Sequence, residues 1–270
     1  MSGVARSWFF FLTYFIYLTL FMGPAQWLVV GPLVSILPSR RRAIVRTWLR
    51  SQARITLAMA RILGGLRVVV EGELPPVSAI VLMNHQSVLD IPVGISLVTG
   101  PYPLIPARAK YGRGIPGISG LLKLARFPEL LQGGRASRTE LDGLVEAARQ
   151  VARGEQTLLM FPEGHRSRDG RILPFKISGL RLVFQTAPER PVYLAIVDGL
   201  WQLRTFAETA RSLAGTTARV RIVGPYTIPP DSGEWEAFAE TLQRHMTQVL
   251  DQLRSPETAS EEAARSHAAG

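Results

Sequence analysis

The stretch VLMNHQSVLDIP, residues 81–92, ends one kind of sequence and begins another. An apolar run that starts at Ser78 stops at Asn84-His85-Gln86-Ser87, and Asp90 follows five residues after the histidine. The run is short, rich in β-branched residues and preceded by Pro75-Pro76, which reads as a strand over 78–84. Five residues turn about 140° around a helix, so His85 and Asp90 would not share one helical face. They meet only if His85 lies in a loop and Asp90 opens a helix. Pro92 permits this, because proline is best tolerated in a first helical turn. Asp90 would then accept the Nδ1–H of His85 and leave Nε2 free as a base, the logic of a Ser-His-Asp triad without its serine. The same residues have a second reading: Asp90 is only an N-cap, or forms a capping box with Ser87, and His85 is a loop residue. Ser87 is poorly placed as a nucleophile, two residues from the histidine in one loop.

Outward from this stretch, short apolar strands alternate with helical patterns. Strands are expected at 67–72, 78–84, 103–108, 156–164, 191–199 and 218–224. Helices are expected at 91–98, 115–124, 138–154, 177–187 and 234–253. The clearest is RTELDGLVEAARQVARG, with Leu141, Leu144, Val145, Ala148 and Val151 on one face and Gly154 as a stop. This alternation predicts an α/β fold: a mostly parallel central sheet flanked by helices. Residues 66–254 form that domain, and 255–270, small, polar and unpatterned, read as a disordered tail.

A second strand also ends in dense polar chemistry. TLLMFPEG runs into HRSRDGRILPFK, so Phe161-Pro162-Glu163-Gly164 is followed by Arg166, Arg168 and Arg171, with Lys176 beyond. Guanidinium forks suit phosphate, which they hold with two parallel hydrogen bonds. Arginine is also the common base here, 28 of 31, so any single one is equally explained by composition. In open α/β sheets ligands gather beyond the carboxyl ends of strands, where both polar stretches would lie.

The 270 residues contain no cysteine, which excludes disulfides, thiolate nucleophiles and thiolate metal sites, and four histidines make a histidine-rich metal site improbable. The net charge of +10 is unevenly distributed. Residues 1–70 hold nine arginines and no acid, leaving 22 basic and 21 acidic residues in the remainder. That pattern fits a membrane surface better than nucleic acid, whose partners spread basic residues over a folded face. Residues 7–39 carry no charge and form an anchor spanning 1–39. Gly23-Pro24 and Gly31-Pro32 interrupt it, so it reads either as one kinked spanning helix or as a hairpin dipping into one leaflet. The Gly-Pro break near the middle favours the hairpin. A signal peptide fits less well, because the apolar run is too long and no A-x-A site follows. Arg42, Arg46, Arg50 and Arg54 recur every fourth residue, which predicts a basic amphipathic helix over 40–65 at headgroup level. Arg40-Arg41-Arg42 assigns this side to the cytoplasmic face of the inner membrane.

Together these blocks resemble the glycerolipid acyltransferase family, in particular its bacterial 1-acyl-glycerol-3-phosphate branch. The resemblance covers about 69–199. NHxxxxD is matched by Asn84, His85 and Asp90, FPEG-x-R-S by Phe161, Pro162, Glu163, Gly164, Arg166 and Ser167, and PFK by Pro174, Phe175 and Lys176. The family's second block is matched more loosely by Lys110, Pro116-Gly117 and Arg135, with Arg126 and Arg138 as rivals for the arginine. Its fourth block lacks a second proline here, in Arg190-Pro191-Val192-Tyr193-Leu194, and His165 replaces the commoner threonine. The resemblance implies transfer of an acyl group from acyl-CoA or acyl carrier protein to a lysolipid, with His85 and Asp90 catalytic. It implies that Asn84, Lys110, Arg135, Phe161, Pro162, Glu163, Gly164, Arg166, Ser167 and Lys176 bind substrate. It implies membrane lipids as partners, no metal and no cofactor beyond the acyl donor, and no nucleic acid. Another acceptor, such as glycerol-3-phosphate, a lyso-ornithine lipid or another lysophospholipid, and a non-catalytic membrane-binding role are the alternatives.

Overall fold

A computed structural model describes residues 2–130, 138–203 and 205–255. Six strands form the main sheet: β1 (Arg67–Glu71), β2 (Ile80–Met83), β3 (Tyr102–Leu104), β6 (Gln156–Met160), β7 (Val192–Asp198) and β8 (Thr217–Tyr226). A two-stranded sheet, β4 (Ala107–Arg108) with β5 (Glu129–Leu130), sits apart. The order across the main sheet is β1-β8-β7-β2-β6-β3, and every neighbouring pair is parallel except β7 with β8. β1 and β8 therefore run opposite to the other four. The N-terminal ends of β1 and β8 share one edge with the C-terminal ends of β2, β3, β6 and β7.

β2 and β6 are buried at every position, as strands covered on both faces must be, which explains their unbroken apolar runs. Helices α3 (Asp90–Leu97), α4 (Ile118–Ala125), α5 (Arg138–Ala152), α6 (Ile177–Thr186), α7 (Phe206–Ser212) and α8 (Trp235–Arg254) flank the sheets. The expected strand over 103–108 is instead two strands in two sheets, divided at Ile105-Pro106. Proline supplies no N–H to a ladder, so the chain leaves the sheet there. α7 was not anticipated, although its signal was present: Thr205 and Glu208 form a reciprocal capping box. Residues 256–270, expected to be a disordered tail, lie outside the described residues.

The N-terminal segment follows the first of its two readings, a single helix. It is not a hairpin but one continuous helix, α1 (Gly3–Ile36), about 51 Å long at 1.5 Å per residue. The Gly-Pro pairs are absorbed by two wide turns, Tyr17–Met22 and Gln26–Val30. In these turns the N–H of Gly23 reaches back five residues to Leu18, and that of Gly31 to Gln26. The wider spacing makes room for a proline ring and its missing donor without reversing the chain.

The reversal comes later, at Leu37–Arg40, and leads into α2 (Arg41–Ile62). α1 and α2 run antiparallel, joined by Arg6 to the carbonyls of Ile62 and Leu63, Tyr14 to Thr56 and Tyr17 to Gln52. The basic stripe on α2 is also divided. Arg50 turns inward and donates to the carbonyls of Val98 and Gly100, and Arg42 pairs with Glu155. Half of the expected headgroup stripe thus holds α2 to the domain.

α1 touches the domain at two distant points. Ser7 Oγ accepts from the N–H of Ala214 just before β8, and Gln26 Nε2 donates to the carbonyl of Gly117, between β3 and α4. The first point is at the start of β8 on the site edge, and the second follows β4, whose Arg108 reaches Gly164 in the loop after β6, so α1 lies along that edge. Its outer face exposes Trp8, Phe9, Leu12, Phe15, Trp27 and Leu28, the last two more than three-quarters exposed.

Candidate active site

The loop after β2 is built from side chains that bind backbone. Asn84 spends its amide on one residue, donating to the carbonyl of Val197 at 2.8 Å and accepting its N–H at 2.7 Å. Gln86 accepts the N–H groups of Leu200 and Trp201, each at 3.1 Å. Ser87 donates to the carbonyl of Leu203 at 2.8 Å. All three side chains are buried. This loop is therefore stitched to the segment leaving β7. Asn84, expected among the substrate-binding residues, is buried and holds the backbone of Val197. Ser87 is likewise committed and is not a nucleophile.

α3 begins at Asp90, as Pro92 suggests, and the carboxylate reaches back over the loop. Its Oδ2 accepts Nδ1 of His85 at 2.8 Å, the N–H of Gln86 at 2.6 Å and the N–H of Ser87 at 2.7 Å. Asp90 is fully buried while the His85 side chain keeps 17% of its surface. A buried carboxylate thus orients a mostly buried imidazole, whose Nε2 lies on the far side of the ring from that bond. Leu89, not Asp90, occupies the N-cap position, and no side chain caps it. The reading of Asp90 as a mere cap fails on this geometry.

The loop after β6 meets the histidine from the other side. Phe161 stacks on the His85 ring with centroids 4.1 Å apart and planes at 22°. Glu163 is buried and accepts two backbone N–H groups, from His85 and Leu173, each at 2.8 Å. Ser167 returns a bond from its N–H to the carbonyl of His85 at 2.7 Å, and its hydroxyl donates to Asp169. Pro162 accepts the N–H of Lys176. Glu163 and Ser167, expected to bind substrate, thus hold the two loops together. Burial is the main reason that the Glu163 carboxyl rises to about 7, with the charge of Asp90 adding to it and the two N–H donors opposing it.

The open side of this loop is basic. Gly164 stands at φ +74°, where a side chain would be strained, and a Cβ there would meet the Lys176 stem at 3.4 Å. The Arg108 guanidinium donates to the carbonyl of Gly164 at 3.1 Å, Arg166 is half-buried and Lys176 is exposed. Arg108 was not singled out from sequence. Its only signal there is a basic residue at a strand end.

Lys110 is not joined to these loops by any hydrogen bond among the described residues. It lines a separate cleft of about 540 Å³ with Arg113, Lys123 and Glu129. Arg135 lies outside the described residues. Among the described residues no group of three His, Cys, Asp or Glu could hold a metal ion.

The chain is similar to several known proteins. The model of the family described as Acyltransferase matches residues 67–197, which contain both loops. A 1-acyl-sn-glycerol-3-phosphate acyltransferase of Limnanthes douglasii is 29% identical over 168 residues, 59% of this chain and 58% of that protein. One from Cocos nucifera is 29% identical over 70% of this chain and 57% of its own length. The human protein named 1-acyl-sn-glycerol-3-phosphate acyltransferase alpha is 25% identical over 74% of this chain and 69% of its own. The chain thus spans somewhat over half the length of the two plant relatives. Among solved structures, the 1-acyl-sn-glycerophosphate acyltransferase PlsC of Thermotoga maritima superposes with a TM-score of 0.63 over 92% of this chain and 97% of its own, at 20% identity. That likeness is one of fold.

Proposed function

We propose that this chain, which matches the Acyltransferase family model over 67–197, is a glycerolipid acyltransferase that moves a fatty acyl group from a thioester to the free hydroxyl of 1-acyl-glycerol-3-phosphate, giving phosphatidic acid. The thioester is acyl-CoA or acyl carrier protein. The observation that carries this reading is the 2.8 Å bond from His85 Nδ1 to the buried Asp90 at the end of β2. It fixes the tautomer in which Nε2 is the acceptor. Nε2 takes the proton of the acceptor hydroxyl as that oxygen attacks the thioester carbonyl carbon. A C–O bond forms, the C–S bond breaks, and the departing thiolate recovers the proton from His85. Asp90 stays ionised and stabilises the transient imidazolium. No residue is acylated.

Arg166, Lys176 and Arg108 surround Gly164 and would hold the acceptor phosphate, with Arg135 added by the family resemblance. Fixing the phosphate places the hydroxyl beside Nε2, so binding energy is converted into effective concentration. The names of the curated relatives support this acceptor. The helix α1 supports a lipid substrate. It is docked by both ends along the site edge, so it lies in the plane of the membrane surface with its apolar face in the lipid, and does not lead away from the domain. Arg40-Arg41-Arg42 support the cytoplasmic face as that surface.

The test is turnover of acyl-CoA with labelled 1-acyl-glycerol-3-phosphate by the purified full chain in lipid vesicles. Phosphatidic acid is the expected product, and His85→Ala should lower its formation by at least about a thousandfold while lysolipid binding survives. Ordinary turnover by that variant would sink the mechanism. Release of free fatty acid without an acceptor would point to a hydrolase instead.

A further inference from the structure

The far end of the helix pair holds a basic cavity that the proposed reaction does not use. It has a volume of about 410 Å³ and is lined by Arg6, Arg61, Gly65, Leu66, Arg67 and Val68. Three elements contribute its three arginines: the first turns of α1, the last turn of α2 and the first residue of β1. Arg6 is held in place, since its guanidinium donates to the carbonyls of Ile62 and Leu63 at 3.0 Å each. Gly65, at φ +79°, leaves room for it, because a Cβ there would meet Arg6 Cζ at 3.3 Å. Arg61 and Arg67 are exposed and have no acidic partner among the described residues. No acid occurs in the first 70 residues to neutralise them. Three guanidinium groups around one cavity repel one another until an anion enters, and their forks match phosphate oxygens.

The surroundings of the cavity select the kind of phosphate. Val4, Trp8, Phe9 and Leu12, all exposed, start the apolar outer face of α1 within two turns of Arg6. A phosphate in the cavity would have acyl chains running along that face. The cavity also lies on the site edge, at the start of β1, three strand spacings from β2, or about 14 Å across the sheet.

From these observations we infer that Arg6, Arg61 and Arg67 form a discrete site for the phosphate of an anionic membrane phospholipid, separate from the acceptor site. This inference rests on the reading that α1 lies in the membrane surface. The bound lipid sets the tilt of the site edge against the membrane at the β1 end. It differs from diffuse attraction of a basic segment in depending on which arginines are present, not on their number.

The test uses the full chain and the partition coefficient onto vesicles of neutral phosphatidylcholine, with and without anionic phosphatidylglycerol. Arg6 is left unchanged, because it holds the end of α2. The double variant Arg61→Gln with Arg67→Gln should lose about tenfold more of the anionic-over-neutral preference than Arg40→Gln with Arg46→Gln, which removes the same charge. Equal losses would overturn the site in favour of diffuse attraction. Arg61→Lys with Arg67→Lys keeps the charge but not the forks, and it should also lose preference; full retention would overturn the site. Millimolar inorganic phosphate should leave vesicle binding unchanged, and displacement by it would show a free-phosphate site instead. Binding of every variant to neutral vesicles reports on α1 alone, so failure of the membrane reading is seen separately.

Discussion

The two loops that form the site sit at equivalent places, at the C-terminal ends of the neighbouring strands β2 and β6, yet they are built in opposite ways. After β2, the side chains of Asn84, Gln86, Ser87 and Asp90 are all buried and bonded to backbone, and only His85 among these polar residues keeps access to solvent. After β6, Glu163 and Ser167 are buried to join the loops, while Gly164, His165, Arg168 and Lys176 are exposed. The difference follows from what each loop would do. Proton transfer depends on a hydrogen-bond geometry that tolerates little error. A phosphate is held by long, mobile cations that can adapt at an open rim. In the proposed reaction the rigid loop would carry the base and the open loop the anion site.

This contrast can be broken most directly at Asp90. Asp90→Asn should lower kcat about a thousandfold or more, because the amide favours the wrong His85 tautomer. The variant should also be less stable, since an amide replaces an oxygen that accepts two backbone N–H groups. An unchanged kcat would show that the 2.8 Å bond has no role in turnover.

Next comes Asn84→Ala, which leaves the buried N–H and C=O of Val197 without their side-chain partner. A cost of about 2–4 kcal/mol in denaturant unfolding is expected, with activity falling as the loop loosens. Unchanged stability would mean that the loop after β2 is not as tightly committed as its bonds indicate.

The open loop should respond in KM and not in fold. Arg166→Gln is expected to raise KM for the lysolipid phosphate about tenfold with kcat little changed. A fall in kcat without a change in KM would place Arg166 with the chemistry.

The smallest effect belongs to Glu163, the joint between the loops. Its folded value, about 7, lies above the usual carboxyl value of 4.5, so the native state holds a proton that the unfolded chain has released. Its contribution is fully present below about pH 4.5 and is lost as pH rises through 7. Urea unfolding of the wild type and Glu163→Gln from pH 5 to 8 should therefore show the wild type losing stability relative to the variant. A constant gap would show that Glu163 does not titrate in this range.

Much of this architecture is legible along the chain. Strand and helix runs are local signals, carried by the apolar runs of β2 and β6, the periodic face of α5 and the proline that lets a helix open at Asp90. The spacing of His85 and Asp90 is also local, and a loop followed by a helix start is enough to make it work. The roles of Asn84, Glu163 and Ser167 are not local. Each is defined by a partner 78 to 113 residues away, or in Ser167 by a bond back to His85, and sequence spacing carries no record of such pairings.

The sequence by itself determined that this is an α/β chain with a charge-free, aromatic-rich N-terminus, a histidine–aspartate pair at one strand end and an arginine-rich loop at another. Composition and short-range periodicity are sufficient for those. Tertiary structure decided that α1 is continuous, because widened turns accommodate its prolines, and that it lies along the site edge, because Ala214 and Gly117 receive it at two distant points. It also decided which polar residues keep access to solvent and which hold loops together, since that depends on the strand order β7-β2-β6, which brings together segments far apart in the chain.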